Sequence, residues 1–234
     1  MTVRELIRFH RYAEAIVQLQ QALANNPNDM SAVYDMGCTT MTPGSAAWQI
    51  DIACLHWLSN DRSKATLLMH SLAVGILDGS VKYASDAAGG MNQGLLLYYM
   101  GVTANMSEEV SFAEDYLRNR VDYLKKVMRE RFDDIWPCRV AQHLLGEIEF
   151  EAVMESVNRQ PVSLLLTEAK AERGRRRRLC VALFYNGVRA MVQGKHGDCI
   201  ARMWECYELD SLLLEQEWYL ARDEVKNYRR SAIS

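Results

Sequence analysis

His143, Glu147, Glu151 and Glu155 recur every four residues, so a single helix over 138–158 would carry all four on one face. Imidazole and carboxylate groups in such a row are the raw material of a metal site or of proton transfer. Helical bundles that hold metals through carboxylates use Glu-x-x-His on two helices plus further glutamates. Here the order is His-x-x-x-Glu and there is no second copy. The row therefore predicts a solvated acidic face, able to meet a basic partner, rather than a metal centre. The other histidines, His10, His56, His70 and His196, show no HExxH spacing, and zinc chemistry lacks support. His56 and His70 flank one predicted turn, close enough to approach each other, although core or surface roles suit them better.

Nucleophilic catalysis needs a Ser, Cys or Thr beside an activating base. No Gly-x-Ser-x-Gly occurs, and cysteines sit in apolar helical contexts such as Ile52-Ala-Cys54-Leu and Arg178-Leu-Cys180-Val. Buried thiols of that kind are inert as a rule. Gly89-Gly90 with Gly94 lacks the Lys-Ser/Thr of a phosphate loop. The sequence thus implies no catalytic residue, no cofactor and no metal.

The densest charge is Lys170-Ala-Glu-Arg-Gly-Arg-Arg-Arg-Arg178, with six cations in nine residues. Arg175, Arg176, Arg177 and Arg178 are predicted to open a helix, where the dipole disfavours positive charge. Two readings stay open: a contact with an anion or acidic protein, and arginines folded onto acids of neighbouring helices. No aromatic residue interleaves the run for base stacking, which disfavours nucleic acid. Trp218, flanked by charge in Glu215-Gln-Glu-Trp-Tyr-Leu, is placed as an anchor at an interface rim would be.

These residues are positioned by helices. Four prolines and thirteen glycines punctuate 234 residues, mostly between helix-periodic stretches, and no alternating strand pattern or hairpin dipeptide stands out. The pattern predicts helices near 3–25, 30–38, 46–59, 63–78, 92–104, 108–132, 138–158, 162–172, 176–193, 198–208 and 211–229. Within 108–132, Val110, Ala113, Leu117, Val121, Leu124 and Met128 define one buried face. Ser107 is suited to cap that helix, with Glu108 and Glu109 in its first turn. Pro137 and Pro161 fit first-turn positions. Gly194 should end a helix so that Asp198 caps the next. The glycine-rich stretch 79–94 reads as a long loop or a sub-boundary within one compact helical domain spanning 1–234.

Bulk properties agree with a globular chain: 49% apolar and 24% charged residues, with a net charge of −3. That charge argues against nucleic-acid binding by the whole surface. No stretch approaches the roughly 18 apolar residues of a membrane span. The N-terminus, Met-Thr-Val-Arg-Glu-Leu-Ile-Arg, lacks a signal-peptide core. Cys38, Cys54, Cys138, Cys180, Cys199 and Cys206 form no CxxC pair, and free buried thiols in a reducing cytoplasm are expected.

One further pattern concerns Tyr12-Ala-Glu-Ala-Ile-Val-Gln-Leu-Gln-Gln-Ala-Leu-Ala-Asn-Asn-Pro27. With Ala15, Leu19, Ala22 and Pro27 at spacings of four, three and five, it resembles the second helix of a tetratricopeptide (TPR) repeat. Partial echoes lie at Trp48–Leu72, through Ala53, Ala65, Met69 and Leu72, and at Phe184–Asp210, through Gly187, Gly194, Cys199, Met203 and Cys206. They share no constant period. The resemblance implies an all-α, irregular stack of antiparallel helical hairpins, TPR-like or a helical bundle, that binds another protein. In size and style the chain is similar to bacterial immunity proteins that block a cognate toxin, and to TPR-type secretion chaperones or adaptors. On that basis the expected partner is a toxin or a secretion substrate, met by Glu147, Glu151, Glu155, Arg175–Arg178 and Trp218. An enzyme and a nucleic-acid-binding regulator using Arg175–Arg178 are the competing classes.

Overall fold

A computed structural model describes residues 6, 11, 14, 15, 17, 18, 21, 46–81, 90–129, 132, 135–159, 168–209 and 215–233, with the backbone alone for 46–48 and 231–233. Among them the regular elements are α-helices and no strand occurs: α1 (Ala46–Leu58), α2 (Arg62–Leu77), α3 (Met91–Thr103), α4 (Ser107–Met128), α5 (Cys138–Leu144), α6 (Phe150–Asn158), α7 (Glu168–Val192), α8 (His196–Glu208) and α9 (Gln216–Ile233). The chain is all-α. It divides into two compact units, 1–86 and 87–234, and the join falls inside the glycine-rich stretch.

In the first unit α1 packs on α2. Ala53, Ala65, Met69 and Leu72, the residues of the second repeat-like match, are all buried at its centre. Ala15 is helical and buried as well. Leu19, Ala22, Pro27, Cys38 and the helix expected over 30–38 lie outside the described residues.

In the second unit the long helix α7 is central, touching α3, α5, α6, α8 and α9. The third repeat-like match is the hairpin α7/α8. Cys199, Met203 and Cys206 form the buried face of α8. Gly187 admits that face, because a Cβ there would stand 3.1 Å from the Met203 Cε and 3.2 Å from the Cys199 carbonyl oxygen.

The same turn closes three helical hairpins. Asn60, Asn105 and Gly194 take left-handed backbone, with φ of 67°, 55° and 72°. In each, that residue's N–H bonds the carbonyl three back, and the next N–H bonds the carbonyl five back: Asn60 to Trp57 with Asp61 to His56, Asn105 to Val102 with Met106 to Gly101, Gly194 to Met191 with Lys195 to Ala190. This is the Schellman closure, which satisfies carbonyls orphaned at a helix end. Asparagine and glycine suit it because they tolerate positive φ. The next helix begins two residues later each time. These turns lie 45 and 89 residues apart, wider spacings than the 34-residue repeat that the sequence resembles.

Four local expectations need correction. Ser107 is the first helical residue, and no side chain caps α4. Asp198 lies inside the first turn of α8 after an N-cap at Lys195. Glu108 and Glu109 in α4 and Asp198 in α8 favour the helix start through the dipole rather than through a cap. Pro137 precedes α5 as its N-cap residue, while Pro161 lies outside the described residues. Finally, residues 91–94 of the glycine-rich stretch belong to α3, in line with the helix expected from 92 and not with a loop reaching 94. Gly94 is a packing residue: a Cβ there would come within 2.5 Å of the Tyr116 ring and 2.8 Å of Leu117. The Tyr116 hydroxyl donates to the Gly90 carbonyl at 2.7 Å, locking α4 against the start of α3.

Candidate protein-binding surface

The row His143, Glu147, Glu151, Glu155 is not on one helix. The predicted helix 138–158 breaks into α5 and α6 because Gly146 adopts φ 77° and another Schellman closure forms, from Gly146 to His143 and from Glu147 to Gln142. His143 is consequently buried on α5, Glu147 sits in the turn, and Glu151 and Glu155 lie on the exposed face of α6. Glu147 accepts a hydrogen bond from the Gln142 amide at 3.1 Å and faces the Lys125 ammonium at 3.7 Å. Glu149, at the N-cap of α6, is exposed beside Glu151. Among the described residues no cation pairs with Glu151 or Glu155.

His143 belongs to a structural node. Burial holds its imidazole below the ordinary histidine pKa. His143 Nδ1 lies 2.7 Å from the Arg189 guanidinium and 3.2 Å from the Ile148 carbonyl, and Nε2 lies 3.1 Å from Asn186 Oδ1. The same guanidinium nitrogen donates to the carbonyls of His143 at 2.7 Å and Ile148 at 3.1 Å. Arg189 therefore ties the α5–α6 turn to α7. Its replacement by methionine is expected to cost about 2–4 kcal/mol, because the carbonyls lose their donor while burial is retained. Lysine should recover only part of that, as a point charge cannot reproduce the guanidinium fork. Urea denaturation measures both, and a loss below about 0.5 kcal/mol for the methionine variant would reject the node. The adjoining cavity of about 310 Å³ is lined by His143, Glu149, Glu151, Arg189, Lys195 and Arg202 among others. Both imidazole nitrogens of His143 are engaged, whereas Glu149 and Glu151 of this lining face solvent.

The arginine run does not open a helix. α7 starts at Glu168, so Arg175 to Arg178 lie about two turns in, beyond the part of the helix where the dipole penalises cations. Arg175 pairs with Glu172 at 2.8 Å, and Arg177 reaches across to the largely buried carboxylate of Glu215. Arg178 donates to the carbonyls of Val157 at 3.0 Å and Arg159 at 3.2 Å, capping the C-terminus of α6. Arg176 is half-buried and also engaged. Arg177 thus meets an acid distant in the chain, Arg175 an acid of its own helix, and Arg178 carbonyls of a neighbouring helix end.

Trp218 is a core residue and not a rim anchor. Its indole is buried, and Nε1–H donates to the carbonyls of Tyr207 at 3.0 Å and Leu209 at 3.1 Å, where α8 ends. Tyr207 and Tyr219 pack on it with ring centroids 5.6 and 5.1 Å away, and the Arg222 guanidinium lies 5.1 Å over its face. Just before Trp218 in the chain are two carboxyls, Glu215 and Glu217, whose pattern in the sequence is only that of flanking charge. Glu217 is buried; desolvation, then the neighbouring Glu215, pushes its pKa up to about 7. Burial raises Glu215 too, against the pull of Arg177. The signal available in the sequence was a pair of acids two apart beside a tryptophan, which on its own reads as a solvated face.

His56 faces Asp61 at 3.4 Å and is held below its ordinary pKa by burial and then by Lys64. Five cysteines, Cys54, Cys138, Cys180, Cys199 and Cys206, are free and buried as expected. Among the described residues no cluster of His, Cys, Asp or Glu could hold a metal, and no helix is long and apolar enough to cross a membrane. No protein-family model, curated protein or solved structure matches the chain.

Proposed function

We propose that the protein is a non-enzymatic binding module that recognises a basic protein surface through the acidic edge of α6. The observation that supports this reading is an asymmetry of charge. Arg175, Arg177 and Arg178 are engaged by acids and carbonyls of the chain itself, whereas Glu151 and Glu155 face solvent and form no ion pair among the described residues. Complementary fields across an interface steer association and select partners. The acids sit on a helix fixed at one end by Arg189 and at the other by Arg178, so little ordering is needed on binding. The specific form of the proposal is an immunity protein whose carboxylates occupy the basic groove of a cognate toxin, with a TPR-type chaperone or adaptor for a secreted protein as the alternative. The engaged arginines give no support to a nucleic-acid regulator.

Affinity capture from the native host, followed by mass spectrometry, identifies the partner. Glu151→Lys with Glu155→Lys is then expected to weaken binding by about tenfold or more and to flatten its dependence on salt. Both changes lie on the exposed face of α6, where substitutions usually alter stability by no more than about 0.5 kcal/mol. Unchanged affinity and salt dependence would reject the acidic edge as the contact.

A further inference from the structure

Cys180 and Cys206 stand apart from the other thiols. Their sulfurs are 3.4 Å apart and fully buried where α7 meets α8. A disulfide bond is about 2.05 Å long, so bonding requires an approach of roughly 1.4 Å between two side chains already in contact. The Cys206 sulfur also lies 3.5 Å from the Cys180 carbonyl oxygen and 3.9 Å from that of Glu217. The hairpin turn at Gly194 and the close approach at Gly187 hold the helices in register. Cys199, the other thiol of α8, lies two turns away towards that turn.

We infer that Cys180 and Cys206 are a dithiol pair that closes to a disulfide between α7 and α8 under hydrogen peroxide. One thiolate attacks a peroxide oxygen and forms an S–O bond; the O–O bond breaks, and the departing hydroxide leaves as water. The second sulfur then attacks the sulfenic sulfur, the S–S bond forms, and the S–O bond breaks to release a second water. Two thiols and one peroxide thus give one disulfide and two waters, the sulfurs losing the two electrons that the peroxide gains. The mutual hydrogen bond and then burial hold the Cys180 thiol well above its ordinary pKa, which makes closure slow and dependent on opening of the hairpin.

The full chain, reduced and then treated with hydrogen peroxide, is quenched with N-ethylmaleimide in denaturant and mapped without reduction by mass spectrometry. The treatment is run in buffer and in urea below the unfolding midpoint. A linked peptide joining Cys180 to Cys206 is expected, two hydrogen masses lighter than the thiols, forming faster in urea and absent from Cys180→Ser and Cys206→Ser. The oxidised wild-type chain should unfold at a higher urea midpoint than the reduced chain, a readout that needs no variant to fold. Maleimide capture of both thiols in both conditions, pairing with Cys199, or sulfinic acid at either position without the linked peptide would overturn the inference.

Discussion

Replacing Trp218 by alanine is expected to destabilise the 87–234 unit by about 3–5 kcal/mol, the range for truncating a buried aromatic residue. Three losses combine at this position. The indole fills the space between α8 and α9 against Tyr207 and Tyr219. Its N–H is the donor for the Tyr207 and Leu209 carbonyls at the end of α8. Its face carries the guanidinium of Arg222, itself 8% exposed, which would remain buried without that aromatic surface. Trp218→Phe keeps most of the volume and loses the donor, so about 1–2 kcal/mol is expected for it. Urea denaturation followed by far-ultraviolet circular dichroism measures both variants. A rim anchor behaves differently, since its removal leaves folding within about 0.5 kcal/mol and acts on binding alone. A loss below about 1 kcal/mol for Trp218→Ala would place the indole outside the core.

The contrast at Trp218 shows where reading the sequence stops. The acids just before it suggested a surface, but Glu217 is buried and Glu215 largely so, and nothing local in the sequence marks an acid that folds inward. Position 218 takes the buried face, together with Leu220, Ala221 and Val225. Periodicity within one helix was legible: of the six residues expected on the buried face of α4, Ala113, Leu117, Val121 and Leu124 are buried, and Val110 and Met128 near its ends are half-buried. The hairpins α1/α2 and α7/α8 were legible too, because small residues at close spacing and an Asn or Gly at the turn act locally. Period-four spacing over 138–158 misled, since a single left-handed glycine at 146 outweighs the periodicity and rotates Glu151 away from His143. In the opposite sense Gly174 did not break α7, where the flanking residues are good helix formers and the 172–175 ion pair spans it.

What the surface offers was less legible than the fold, because charge is settled by partners distant in the chain. Arg177 finds Glu215, and Arg189 finds carbonyls on the turn after α5. No local pattern announces either pairing. The arginine run was the most conspicuous charge in the sequence and became structural through contacts of this kind. Glu151 and Glu155, ordinary by composition, stay exposed.

Glu217 supplies the second large effect, and its sign is opposite to that of a paired carboxylate. Its buried carboxyl keeps a proton up to about pH 7, whereas the unfolded chain loses it near the ordinary value of 4.5. Between those values the folded state binds more protons than the unfolded state, so stability falls as pH rises from 4.5 to 7 and stays reduced above it. Below 4.5 both states are protonated and the group contributes nothing. Glu217→Gln holds the position neutral at every pH, and its side-chain oxygen still faces the Tyr185 hydroxyl that the carboxyl faces. The variant is therefore expected to be more stable than the natural chain at pH 8, by up to about 3 kcal/mol for a shift of this size. The two should converge near pH 4, which makes the pH dependence of the difference the decisive quantity. Glu215→Gln should do less, because Arg177 offsets much of the burial of that carboxylate and would lose its partner. Urea midpoints measured from pH 4 to pH 8 carry the comparison, and a Glu217→Gln advantage that did not grow with pH would show that this carboxyl is not protonated in the folded state.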